Sequence, residues 1–266
     1  MCRMEKDILQ DIIDNKRIEI AHQKRAISSQ NLLSIGRDRM ERKTVSLRKA
    51  ISEAKDGIIA EFVRKSPTSG WLCPEARVKD VIPAFEQAGA CACSIQTDGK
   101  FYDGALGDLW KARQATQLPL LRKDLILDSY QLLQSRVMGA DAVLLIASTL
   151  TPEDCRILTD TAHGLQMEVV LEIHEETELV EAFDDVDVIS VNNRNLGSFH
   201  ADWEKSLLLA EKLKGKKQLL ITEFEISNPT MIQQFHAAGF QGFLLGDTFM
   251  KTNDPGKALT DFIQQL

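Results

Sequence analysis

PLLRKDLI, residues 119–126, is an apolar stretch that ends abruptly in Arg122, Lys123 and Asp124. Charge therefore appears where a buried strand would be running out. A lysine at such a strand end, set in an apolar wall, is expected to have a lowered pKa and to serve as a general acid or a carbonyl-polarising group. One buried Lys–Asp pair would be weak evidence alone. The pattern repeats, however: two further strand-like runs end in Glu61 and Glu172, and another carries Asn192.

Short apolar runs of this kind recur along the chain: GIIAEF (57–62), CACSIQ (91–96), PLLRKD (119–124), AVLLIA (142–147), EVVLEI (168–173), VISVNN (188–193), QLLITE (218–223) and GFLLGD (242–247). Successive runs start 20 to 34 residues apart, which leaves room for a strand, a helix and two loops. They are apolar on both faces, as parallel strands covered on two sides are. Between them, VKDVIPAFEQAG, DSYQLLQSRVMG and TMIQQFHAAG keep a 3.6-residue period and end in a glycine suited to a helix C-terminus. Thr151, Asn228 and Asp254 each stand before a proline, a capping side chain ahead of a first helical residue.

Eight strands alternating with helices predict an α/β fold, a single (β/α)8 TIM barrel with its chemistry at the C-terminal ends of the strands. A doubly wound open sheet would carry a Gly-rich phosphate loop after its first strand, and EFVRKSPTSG has no G-x-G-x-x-G there. Ile8, Ile12, Ile13 and Ile20 follow helical spacing, so residues 1–52 read as an N-terminal helical extension covering part of the barrel. No low-complexity linker interrupts residues 1–266, which read as one domain.

The 266 residues are 44% hydrophobic and 27% charged, enough apolar mass for a full core. A net charge of −7 argues against nucleic acid or an anionic membrane as the main partner. The richest basic stretch, Arg37 to Lys49, has Asp38 and Glu41 inside it and reads as a solvated helix face. Five cysteines form no C-x-x-C pair, and no run approaches the ~20 apolar residues of a membrane span. These features point to a cytoplasmic location, with no structural disulfide or zinc.

Glu61, Lys123, Glu172 and Asn192 fall at the ends of the first, third, fifth and sixth strands. Acid, base and orienting amide converging on one barrel mouth form a general acid/base arrangement, although each alone would read as a salt bridge between loops. IIAEF…RKSP, PLLRKD, GADAVLLIA, EVVLEIHEE and NNRNLGSF occur in an order and spacing that resemble the indole-3-glycerol phosphate synthase family of tryptophan biosynthesis, over almost the whole chain. The resemblance implies a lyase that cyclises 1-(2-carboxyphenylamino)-1-deoxyribulose 5-phosphate, with loss of CO2 and water, and uses no metal or organic cofactor. By the same resemblance, Lys123 is the general acid on the substrate carbonyl, Glu172 the base or acid of the dehydration, and Glu61 and Asn192 hold hydroxyls and the lysine network. Ser66 and Arg194 would meet the substrate carboxylate. Leu144 would line the pocket, and Gly246 and Asp247 would form part of the phosphate cradle. The partner is thus a small phosphorylated molecule, and the chain is expected to be a monomer or weak oligomer. No fused isomerase domain is expected after Leu266.

The resemblance also marks departures. The family's first-strand motif reads E-F-K-R, where this chain has Val63 after Glu61 and Phe62. Its seventh-strand S-E-S-G-I is Thr222-Glu223-Phe224-Glu225-Ile226 here. Gln96 stands where leucine is usual, and Tyr102 and Leu125 where phenylalanines are. A carboxylate such as that of Glu225, ~5 Å from a phosphate, would cost about 3 kcal/mol per charge at an effective dielectric of ~20. A second reading therefore stands beside a synthase of lowered turnover: a reshaped barrel that no longer binds phosphate, either non-catalytic or a proton-abstracting catalyst for an apolar aromatic ligand. His174 reads as a loop or helix-capping residue or, less ordinarily, as a group tuning Glu172.

Overall fold

The backbone alternation of a strand decides where this molecule keeps its charge. In the computed structural model, which describes residues 6–67, 69–179, 185–192, 203–223 and 230–266, eight parallel strands close into a barrel. They are β1 (Ile58–Phe62), β4 (Ala92–Gln96), β5 (Leu120–Lys123), β6 (Ala142–Ile146), β7 (Glu168–Ile173), β8 (Val188–Asn192), β9 (Leu219–Glu223) and β10 (Gly242–Leu245), and β10 pairs back onto β1. Every strand expected from the sequence forms. One further element was not expected: the EFVRKSPTSG segment contains a minimal antiparallel pair, β2 (Lys65–Ser66) and β3 (Gly70–Trp71).

Side chains alternate between the barrel interior and the helix layer. Ile59, Leu121, Leu144, Val170, Ile221 and Leu244 meet in one buried inner cluster. Two residues further along their strands, Glu61, Lys123, Glu172 and Glu223 project into the same interior at the C-terminal end. In the register, Lys123 pairs with Gln96, Glu172 with Ile146, and Glu223 with Asn192.

The N-terminal extension forms α1 (Lys6–Ala26), α2 (Ser29–Met40) and α3 (Leu47–Glu53), which serve opposite ends of the barrel. On α3, the buried side chains of Leu47 and Ile51 join the inner cluster and close its N-terminal end. Helix α1 lies across the mouth instead, where the fully buried Lys16 amine meets Asp98 at 2.9 Å and Asp124 at 2.8 Å. Helix α2 packs on α7 (Ser129–Val137) through Leu32, Tyr130, Leu133 and Val137.

The helix signals read from the sequence are realised in α4 (Val78–Ala88), α7 and α10 (Thr230–Ala237), whose following glycines 89, 139 and 239 all take positive φ. Thr151 caps α8 (Pro152–Gly164) and Asp254 caps α12 (Pro255–Ile263), each accepting a hydrogen bond from a backbone N–H three residues on. The Asn228 cap lies outside the described residues.

Because Ile51 is 1% exposed in the barrel floor, Ile51→Ala should lower stability by about 3 kcal/mol through lost burial and an unfilled cavity. Urea unfolding measures this. A loss under 1 kcal/mol would show that α3 is not part of the core.

Candidate active site

A cavity of about 170 Å³ opens at the C-terminal end of the barrel. Among the described residues, its wall includes Glu61, Ser66, Lys123, Leu144, Glu172, Asn192 and Asp247 of the expected site, joined by Leu9 and Ile12 from α1. Gly246, at the end of β10, acts from behind the wall: a Cβ there would stand 2.6 Å from Glu61 Oε2, so only glycine leaves the carboxylate room. Arg194, Phe224 and Glu225 lie outside the described residues.

Lys123 is the centre of the charge network. Its ammonium donates a hydrogen bond to Glu223 Oε2 and lies 3.6 Å from Glu61 Oε1. The sequence suggested a lysine of lowered pKa, and the structure corrects this. Burial alone would lower it, but the charges of Glu223, Glu61 and Glu172 outweigh that penalty and raise it above the ordinary value. Nor does Lys123 pair with the adjoining Asp124. The Asp124 carboxylate is taken instead by Arg122 at 2.9 Å, Thr97 Oγ1 at 2.6 Å and Lys16.

The carboxylates are not equivalent. Glu223 is buried, accepts from Ser190 Oγ at 2.8 Å as well as from Lys123, and feels Glu172 and Glu61; burial leads in pushing its pKa up to about 7. Glu172 is equally buried, and burial pulls upward there too. Its contact with His174, the Lys123 charge and a 3.2 Å hydrogen bond from Asn192 Nδ2 overcome this and bring it down to about 2. The mouth thus holds one committed cation, one committed anion and one carboxyl able to exchange a proton near neutrality.

The expected anion-binding side is more modest. Ser66 Oγ accepts from Ser69 N at 2.9 Å, and Ser69 Oγ donates to Asp247 Oδ2 at 3.1 Å, which knits the first-strand loop to the end of β10. Lys251 reaches Asp247 at 3.4 Å. Val63 is buried yet borders the same cavity. Gln96 and Leu125 are buried in its wall and Tyr102 lines it, with burial pushing the phenol up to about 12. No group of three His, Cys, Asp or Glu among the described residues is placed to hold a metal ion, and no described helix is long and apolar enough to cross a membrane.

The family model for indole-3-glycerol phosphate synthase matches residues 9–262. The chain belongs to that family. An indole-3-glycerol phosphate synthase of Bacteroides thetaiotaomicron is 46% identical over 98% of this chain and 99% of its own length. One of Polaromonas naphthalenivorans is 36% identical over 96% of this chain and 98% of its own. Among solved structures, KGPDC of Streptococcus mutans superposes with a TM-score of 0.60 at 13% identity, covering 79% of this chain and 96% of its own. The tryptophan synthase α subunit of Legionella pneumophila gives 0.60 at 14%, covering 82% and 97%. At such identities these two structures report the barrel fold alone.

For a barrel of this family, the sequence reading passed over Lys16 as a component of the mouth's charge network and took Glu223 only as a group that keeps the mouth titratable, with no catalytic role. Glu223 ends the seventh strand and obeys the strand-end rule that found the others. Lys16 had a subtler signal: it stands on the same four-residue spacing as Ile8, Ile12 and Ile20, a cation on an apolar stripe. The minor reading of His174 is the one realised, since the ring is buried with Nε2 3.1 Å from Glu172 Oε1.

The unequal carboxylates can be tested by side-chain 13C NMR of glutamate-labelled protein, with Glu223→Gln and Glu172→Gln for assignment. Glu223 should titrate near 7, while Glu172 stays ionised down to at least pH 4. A carboxylate's raised native pKa favours the folded protein at low pH, so the contribution of Glu223 to stability should fall as pH rises from about 4.5 through 7. Glu172 has the opposite sign, stabilising above about 4.5 and losing that contribution towards pH 2. Matching ordinary titrations of both groups would contradict the assignment.

Proposed function

We propose that this chain converts 1-(2-carboxyphenylamino)-1-deoxyribulose 5-phosphate into indole-3-glycerol phosphate, with loss of CO2 and water, as a carboxy-lyase of tryptophan biosynthesis in the cytoplasm. The observation that carries the proposal is the convergence of Glu61, Lys123, Glu172 and Asn192 on one cavity at the strand ends, where the neighbouring charges favour a protonated Lys123 and an ionised Glu172.

Ring closure needs a proton on the ketone oxygen as the aryl carbon attacks it, and Lys123 supplies it. The ammonium is weakly acidic while three carboxyl groups surround it, so it holds its proton until negative charge develops on the substrate oxygen. Loss of CO2 returns electrons to the ring. The second stage removes a proton and expels the hydroxyl as water. Glu172 accepts the proton, and a carboxyl of the same cluster returns one to the leaving hydroxyl; Glu223, titrating near 7, is suited to that exchange. Asn192 fixes the Glu172 carboxylate, and Glu61 holds Lys123 from its far side. Ser66, Arg194, Gly246 and Asp247 serve the anionic groups of the substrate, and Leu144 its ring. Phe224 and Glu225 stand in the sequence where the family carries Ser-Gly, and a bulky side chain and a carboxylate in place of those two are the ground for reading this as a synthase of lowered turnover.

Lys123→Ala should lower kcat by about 10²–10⁴-fold, the usual contribution of a positioned general acid, while far-UV circular dichroism stays native. Indole fluorescence follows product formation directly. Wild-type turnover in the variant would exclude the assignment.

Val63 borders the cavity at a position where a cation could meet the substrate's charge. Val63→Lys should tighten binding of a reduced, non-cyclising substrate analogue about ten- to hundredfold, the worth of one charge-assisted contact. Isothermal titration reads the change. Unchanged affinity would show that Val63 does not face the anionic groups.

A further inference from the structure

His174 is the first residue past β7, and it does not line the cavity. Its side chain is 4% exposed and packs behind Glu172, whose Oε1 lies 3.1 Å from Nε2. On the other edge of the ring, Nδ1 is 3.9 Å from Glu178 Oε2. The same Glu178 oxygen accepts the His174 backbone N–H at 2.6 Å, so the turn Glu176–Glu178 is folded back to present a carboxylate to this residue. Both contacts are ion-pair contacts, since neither ring nitrogen has an aligned hydrogen-bond partner.

That arrangement has a chemical consequence. A neutral imidazole always carries one unprotonated nitrogen, an acceptor. Here either choice of tautomer would leave an unprotonated nitrogen 3.1 or 3.9 Å from a buried carboxylate oxygen, with no positive charge on the ring to offset the two acids. Only the imidazolium, with a proton on each nitrogen, suits both neighbours. We infer that His174 is a positioning residue that is cationic in the working protein, bracing Glu172 from behind so that its carboxylate faces the cavity ionised. It touches no substrate and acts through Glu172, so the inference rests on the reading of Glu172 as the proton acceptor.

The charged groups that face His174 among the described residues are Glu172 on its own strand, Glu178 on the following turn and Glu223 on the neighbouring side of the mouth, all acidic. Burial works against the cation, but these three carboxylates overcome it and raise the imidazole above its ordinary value. Across the cavity, Lys123 also favours ionised Glu172, so losing His174 weakens the ionised state without abolishing it.

The test uses His174→Gln, which keeps an amide donor without charge, and His174→Phe, which keeps bulk alone. In both, the acid limb of the kcat–pH profile should move up by about one unit, a tenfold loss of kcat on that limb, with KM within about threefold. Well above the limb, the glutamine variant should recover more of the wild-type kcat than the phenylalanine variant. A loss confined to KM, or an unmoved profile, would overturn the inference.

Imidazole NMR of the wild-type protein gives an answer even if a variant fails to fold. The His174 ring should titrate above 6.5 and drop when Glu172→Gln removes its partner. A ring already neutral at pH 6 would refute the cation. Glu172→Gln also separates the two layers of the argument. If it leaves kcat intact, the role of Glu172 is wrong, and the ring titration still decides the charge of His174. If it suppresses kcat while the histidine variants keep the wild-type profile, only the present inference fails.

Discussion

Lys123 places one positive charge among the carboxyl groups of Glu61, Glu172 and Glu223, inside a barrel whose layer beneath them is aliphatic. Three carboxylates around one ammonium leave a net negative charge in a poorly polarisable space, and the site must relieve it. Each carboxyl finds a different route. Glu172 takes a second cation in His174 and an amide in Asn192. Glu61 shares the ammonium from a longer distance. Glu223 has the ammonium and a serine, and it carries the remaining strain as a raised pKa. The acid/base repertoire of the mouth therefore follows from electrostatic crowding.

The rest of the structure holds that crowded ring in place. Strand alternation turns every member towards the barrel interior, and the aliphatic layer beneath fixes the strands that carry them. Leu47 and Ile51 close the opposite end, so the core is filled from floor to mouth. Over the mouth, Lys16 neutralises Asp98 and Asp124, two buried acids that would otherwise add to the negative charge beside Lys123. Helix α1 is thus bound to the barrel by the same electrostatic logic that operates within the site, and it contributes Leu9 and Ile12 to the cavity wall.

Most of the fold was legible in the chain because buried parallel strands leave a signal that is local. Eight apolar runs, all but AVLLIA with a polar residue at or next to the end, required no knowledge of their neighbours. The meeting of Glu61, Lys123, Glu172 and Asn192 at one cavity was legible for the same reason. Illegible were the charge states, since these depend on partners that close only in three dimensions. The apolar run around Lys123 suggested a lowered pKa, and the carboxylates of Glu61 and Glu223, from strands distant in sequence, reverse it. Asp124 next to Lys123 suggested a pair, yet its carboxylate is taken by Arg122, Thr97 and Lys16 instead. His174 read as a loop or helix-capping residue, since no sequence pattern says that the carboxylates of Glu172 and Glu178 both turn towards one ring.

The most direct test of this account is the charge of the lysine itself. Nζ of Lys123 can be followed by 15N NMR between pH 5 and 11 in protein labelled at lysine, with Lys123→Met identifying the resonance. The surrounding carboxylates predict an ammonium throughout that range, with no inflection below the ordinary lysine value of about 10.5. An amine appearing by pH 8 would mean that burial dominates the site, and the charge balance described here would be wrong.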